Sequence, residues 1–260
     1  MKKFKQISSM LLASAMMLST ISAYIATPVK AAFTGSLTTV DSATANGNVV
    51  EISFNDGAVK GRITFLEDNI FRYNVDPSGE FGEYADVRGG YPDTAKIQAQ
   101  PDDSDRYSRP TATVNEADGI IRITNGTTTI LFDKDTALMT VKYGDKTVME
   151  ESAALALSAS STVQTLVQHD ASESNSNLDE QYFGGGTQNG RFVHTGESIN
   201  IANESKWVDG GVSSPNPFYY TTNGYGVLRN TYRDGVYDFG STLDGTVTAT
   251  HNENEFDAYY

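Results

Sequence analysis

The sequence predicts an all-β protein, a large antiparallel sandwich, and three features carry that expectation. Short segments rich in Val, Ile, Thr, Phe and Tyr recur along the chain, several alternating apolar and polar residues with the period of two that buries one strand face. Between them stand Asn125-Gly126, Gly144-Asp145 and Asn223-Gly224, pairs that tolerate the positive φ of tight hairpin turns. Helical periodicity is too sparse to build βαβ units, so the chain does not read as a parallel α/β fold. A chain of 260 residues is long enough for one large sandwich.

The first residues read as targeting, not structure. Lys2, Lys3 and Lys5 precede an apolar run over residues 7–26, and Val29-Lys30-Ala31 supplies small residues before a cleavage point. Residues 1–31 therefore read as a secretory signal peptide, and the protein as secreted. A membrane anchor needs an unbroken apolar span of about 20 residues. Here Ser8, Ser9, Ser14, Ser19, Thr20 and Ser22 dilute the run and Pro28 closes it, so no membrane association is expected. Removing this segment takes away four lysines and no acidic residue, moving the net charge from −14 to −18. Such acidity argues against nucleic acid or anionic lipid as a partner, because a phosphate-binding surface needs clustered Lys and Arg. With no cysteine, disulfides and thiol chemistry are excluded. His169, His194 and His251 are far apart in sequence, so no metal site and no cofactor is expected.

Residues 32–47, rich in Thr, Ser, Ala and Gly, read as a flexible lead-in, and residues 48–260 as the sandwich itself. Strands are expected at 49–54, 59–66 and 69–75, with Ile63, Phe65, Ile70, Phe71, Tyr73 and Val75 as core contacts. Residues 80–110 read as a long loop in which Asp102, Asp103 and Asp105 are solvated charge, since the glycine and distal glutamate of a calcium loop are missing. Strands follow at 111–114, 119–124, 127–132, 138–143 and 146–149. The Ala- and Leu-rich residues 152–157 allow one helical turn. Further strands are expected at 162–168, 218–222, 225–230, 236–239 and 246–251, with a loop at 170–179. Residues 256–260 read as a strand just beginning, as in the front part of a longer protein.

The stretch 181–209 is the unusual one. Gly184, Gly185 and Gly186 follow Tyr182 and Phe183, and are expected to stop a strand. Thr187, Gln188, Asn189 and Arg191 then offer amide and guanidinium groups of the kind that read sugar hydroxyls. A plain polar hairpin is the competing reading.

Residues 182–207, then Pro217-Phe218-Tyr219-Tyr220, then Gly224-Tyr225-Gly226-Val227-Leu228-Arg229-Asn230, then Tyr237-Asp238-Phe239 together resemble the N-terminal domain of glycoside hydrolase family 31. The resemblance implies a galactose-mutarotase-like super-sandwich packed against a following (β/α)₈ barrel that holds the catalytic aspartates. Within these residues it implies no catalytic residue. Trp207-Val208-Asp209-Gly210 looks like that family's nucleophile motif but lacks its Met, and matches the Trp/Asp element of the N-domain. The Gly-Gly-Gly-Thr-Gln-Asn-Gly-Arg form is similar to secreted Gram-positive members acting on α-glucans. The implied partners are an α-linked oligosaccharide and the downstream barrel, and the implied substrate-binding residues are Asp209, Trp207, Arg191, Asn189 and Gln188. By the same resemblance Asp209 reaches toward the acceptor side of the site, with Trp207 as a stacking wall and Gln188, Asn189 and Arg191 nearer the loop base.

Two other functions compete. A non-catalytic carbohydrate-binding or adhesive sandwich would use some of the 12 Phe and 14 Tyr for ring stacking, though most must be core. A free-standing mutarotase would need His194 or His251 beside Glu253 or Glu255, where surface histidines are the simpler reading.

Overall fold

The computed structural model describes residues 33–81, 106–170, 179–202 and 208–260. The signal segment 1–31, Asp102, Asp103, Asp105, most of the 80–110 and 170–179 loops, and Trp207 lie outside them. The strands are β1 (Gly35–Ser36), β2 (Val40–Asn46), β3 (Val49–Phe54), β4 (Val59–Glu67), β5 (Ile70–Asp76), β6 (Thr113–Ala117), β7 (Ile120–Thr124), β8 (Thr128–Asp133) and β9 (Met139–Tyr143). They continue as β10 (Lys146–Leu157), β11 (Thr162–Val167), β12 (Tyr182–Gln188), β13 (Ser198–Ile201), β14 (Val212–Thr221), β15 (Gly226–Arg229), β16 (Gly235–Phe239), β17 (Thr246–His251) and β18 (Phe256–Tyr259). No helix occurs among the described residues.

Two antiparallel sheets result. One runs β13-β16-β17-β11-β10-β9-β8-β7-β6, with β1 also pairing β10; the other runs β12-β14-β15-β18-β5-β4-β3-β2. Alternation decides which face of each strand turns inward: Val50, Ile52 and Phe54 of β3 are buried while Glu51 is exposed. Aromatic rings join the sheets across the core, with Phe54 and Phe132 at 5.9 Å, Tyr219 and Tyr237 at 5.3 Å, and Tyr182 and Phe239 at 4.7 Å between centroids.

Three sequence expectations are corrected. The lead-in 32–47 is not flexible where it is described: β2 pairs with β3, Leu37 and Val40 are buried, and the Asp41 carboxylate accepts the backbone N–H groups of Asp56 and Gly57. Its Thr- and Ser-rich composition suits an edge strand wetted on one face. The helical turn allowed at 152–157 is strand, because β10 is held between β9 and β11 and its register shifts at Glu151, Ala153 and Ala156 absorb the irregular pattern. The three glycines do not stop a strand, since β12 runs through them.

Candidate carbohydrate-binding site

The glycine run is required by the neighbouring strand. Gly184 pairs with Tyr219 and Gly186 with Pro215, so β14 places Asn216, Pro217 and Phe218 opposite Gly185 alone and bulges onto β12. A Cβ on Gly184 would meet Phe218 O at 2.5 Å, and one on Gly186 would meet Ser214 O at 2.2 Å; their φ values are 119° and 77°. Only glycine lets the two backbones approach so closely.

Past Gln188 the chain turns against residues 208–211. Asn189 N–H donates to Gly211 O at 3.0 Å, Gly210 N–H donates to Asn189 O at 3.0 Å, and Gly211 N–H closes a turn on Val208 O at 2.9 Å. Asp209 stands exposed on that turn with its carboxylate against Gly190, where a Cβ would collide with it. Asn189 and Asp209, 20 residues apart in sequence, thus share one corner of the fold. Arg191 is exposed and ion-paired with Glu197. Gln188 does something else: its amide nitrogen donates to Gly185 O at 2.7 Å and to Asn200 O at 3.2 Å, bracing the hairpin.

Beside this corner lies an aromatic row that the sequence reading did not single out. Phe183 packs on Phe192 at 5.5 Å and on Tyr220 at 5.3 Å, and Tyr220 is 6.1 Å from Phe218. Phe192 is 76% exposed, Tyr220 44% and Phe218 40%, unusual values for rings of this size. The signal was present in the strand phase: Tyr182 and Tyr219 are core, so Phe183, Phe218 and Tyr220 face outward.

The histidines are not at the surface, which corrects that expectation. His251 is fully buried; its Nδ1 lies 3.0 Å from Arg233 O and so carries the hydrogen, leaving Nε2 to accept from Tyr237 OH at 2.9 Å. Burial, helped by the nearby Arg229 charge, lowers its pKa to about 3. His194 stacks near Phe239 with its Nε2 3.1 Å from Gly184 O, and burial lowers its pKa too. Glu253 pairs with Arg229 and Glu255 accepts from Asn74, so each carboxylate has a structural partner. His169 bonds Glu180 at 3.1 Å, a contact that raises its pKa. Among the described residues no group of three or more His, Cys, Asp or Glu is arranged to hold a metal ion.

A family profile described as the glycosyl hydrolase 31 N-terminal galactose mutarotase-like domain matches residues 60–238, more than half of the chain and all of the corner just described. The chain belongs to this family. The family 31 sandwich is also seen in solved structures. A Flavobacterium johnsoniae GH31 dextranase complexed with isomaltotriose superposes with a TM-score of 0.70 at 16% identity, over 86% of this chain and 26% of that one. The Listeria monocytogenes cycloalternan-forming enzyme in complex with a pentasaccharide substrate gives 0.69 at 15% identity, over 86% and 21%. A GH31 α-xylosidase from a soil metagenome complexed with xylose gives 0.58 at 16%, over 84% and 32%. This family 31 sandwich therefore spans about a fifth to a third of those enzymes. No curated protein matches the chain.

Proposed function

We propose that the chain is the N-terminal domain of a secreted retaining α-glycosidase or α-glucosyltransferase acting on α-glucans or related α-linked oligosaccharides, with its catalytic carboxylates on a following (β/α)₈ barrel. The observation that carries this reading is the family match over residues 60–238, a span that includes the exposed corner at Asn189 and Asp209. There Asp209 offers two acceptor oxygens, Asn189 sits on the facing turn, Arg191 adds donors, and the exposed aromatic row supplies flat apolar faces. Trp207, next but one to Asp209, is proposed as a stacking wall. In this role the domain shapes the acceptor side of the site and performs no bond cleavage itself. The basic and apolar leader over residues 1–31 supports export.

In the full-length enzyme, Asp209→Ala is expected to raise KM for a disaccharide by roughly tenfold or more, the worth of a hydrogen bond to a charged group. Hydrolysis of an aryl α-glucoside, which has no acceptor-side sugar, should change little. Equal loss on both substrates, or a large fall in melting temperature, would assign Asp209 to the turn alone.

A further inference from the structure

We infer that His169 is a pH-sensitive latch between the two sheets: protonated, its ring ties Glu180 at the start of β12 to β10 and β11, and neutral, it bonds Asn223 instead and lets that strand end open. His169 lies two residues past β11 and Glu180 two residues before β12, and those strands belong to different sheets. Their backbones meet as well. Glu180 N–H donates to His169 O at 3.0 Å, and His169 N–H donates to Glu180 Oε2 at 3.0 Å. Asn223 stands in the turn between β14 and β15, and β14 is the strand that pairs with β12.

The surroundings of the ring select its charge. Nδ1 lies 3.1 Å from Glu180 Oε2, and Nε2 lies 3.6 Å from Glu150 Oε2 on β10. A neutral imidazole has one N–H and can serve one of these carboxylates, whereas the imidazolium has two and serves both. The Glu180 side chain is fully buried, and among the described residues His169 is the only cation paired with it. The bond to Glu180 raises the His169 pKa above its ordinary 6.5 against the opposing pull of burial, and Glu150 adds to the rise. No other neighbour replaces this proton. Lys146 of β10 donates to Asn223 O, the exposed Asp170 and Asp179 beside the pair along the chain carry the wrong sign, and Tyr182, Tyr219 and Tyr225 near Glu180 stay neutral because burial raises them.

A partner for the neutral ring is already in place. Asn223 Nδ2 lies 3.3 Å from the same Nδ1, and it also donates to Val148 O at 2.8 Å, which fixes which way the amide points. Two N–H groups cannot share that contact. The protonated ring therefore donates from Nδ1 to Glu180, while the neutral ring keeps its hydrogen on Nε2 toward Glu150 and accepts from Asn223 at Nδ1. Glu180 is then left with only the backbone N–H of His169, and a buried carboxylate without its cation favours opening to water. The end that opens is the one closed by Gln181 N–H on Thr222 Oγ1 at 3.0 Å. The latch is shut below about pH 6.5 and is released as pH rises through the raised pKa of His169. From this end β12 runs on to Gln188, so the latch holds the strand that leads into the corner.

Nitrogen NMR of the histidine rings, together with amide exchange corrected for its intrinsic pH dependence, tests this on the full-length protein. His169, identified by the signal that His169→Gln removes, is expected to titrate above 6.5 and to end in the tautomer with its hydrogen on Nε2. Through that titration, exchange at residues 180–183 and 221–225 should speed up about tenfold more than in β3 and β7, the worth of one pKa unit. Glu180→Gln, which has no charge to strand beside a neutral ring, should abolish that excess. A His169 titration at or below 6.5, a neutral ring with its hydrogen on Nδ1, exchange that follows β3 and β7, or an excess that survives in Glu180→Gln would each overturn the proposal. Should Glu180→Gln lower the melting temperature sharply, Glu150→Gln decides, because that side chain is 43% exposed and its loss leaves the core intact. There the ring titration and the exchange transition are expected to move to lower pH together, and an exchange transition that stays in place would overturn the latch.

Discussion

Single buried charges set how this protein responds to pH. Glu151, enclosed in the core, accepts from Met139 N–H at 3.0 Å and Gln164 Nε2 at 3.2 Å, yet burial outweighs both and pushes its pKa up to about 8. A folded-state pKa above the unfolded one means the protonated form is favoured by folding. That stability is complete below about pH 4.5 and is lost as pH rises through about 8. His169, raised by its bond to Glu180, acts in the same direction above its usual range. His251 acts oppositely: held neutral with a pKa of about 3, it contributes stability above about pH 6.5 that is lost as the solution is acidified. Between about pH 4.5 and 6.5 the opposing slopes of Glu151 and His251 offset each other, so unfolding free energy measured in denaturant should peak there and fall on both sides. A steady rise to pH 8 would contradict this assignment. Glu151→Gln, whatever its own cost, should flatten the alkaline limb and leave the acid limb in place.

At the scale of elements, what the sequence could and could not show follows from where each signal resides. Strands with one dry face, such as β3 and β11, were legible because alternation is local. Strand β2 was not, because an edge strand's stability comes from a partner and its composition looks like that of a linker. Nor was the path of β12 through its glycines, since the reason lies 30 residues away in the β14 bulge. The candidate site divides in the same manner. The polar character of 187–191 is visible in the residues, whereas the inward bracing of Gln188 depends on Asn200, and the meeting of Asn189 with Asp209 depends on the 208–211 turn. The bulge itself is testable. Gly186→Ala combines a φ of 77° with a Cβ placed 2.2 Å from Ser214 O, so β12 and β14 must part. A loss of at least about 1–3 kcal/mol is expected from the backbone strain alone. The Phe183–Tyr220 stack, held by the same pairing, should loosen with it, seen as increased amide exchange confined to β12 and β14.

Across the whole molecule, one late strand holds the second sheet together. β12, β14 and β15 form one half of that sheet and β5, β4, β3 and β2 the other, and β18 alone lies between them. Both of its edges are in use: Leu228 and Arg229 pair with it on one side, and residues 72–75 on the other. All four of its residues are buried. Asp257 at its centre neutralises Arg72 from β5 and accepts from Asn230 Nδ2 just after β15 at 2.9 Å, so one carboxylate ties the two halves. Removing either partner of such a buried pair leaves an uncompensated charge and typically costs about 3–5 kcal/mol. Asp257→Ala should therefore unfold the protein at markedly lower denaturant. Deleting residues 252–260 goes further, because it exposes two unpaired strand edges inside the sheet. The shortened chain is expected to lose its near-ultraviolet circular dichroism and to be cleaved rapidly by protease throughout the sandwich. If it instead kept a cooperative melt near that of the intact protein, β18 would be an accessory strand and the two halves of the sheet would be independently stable.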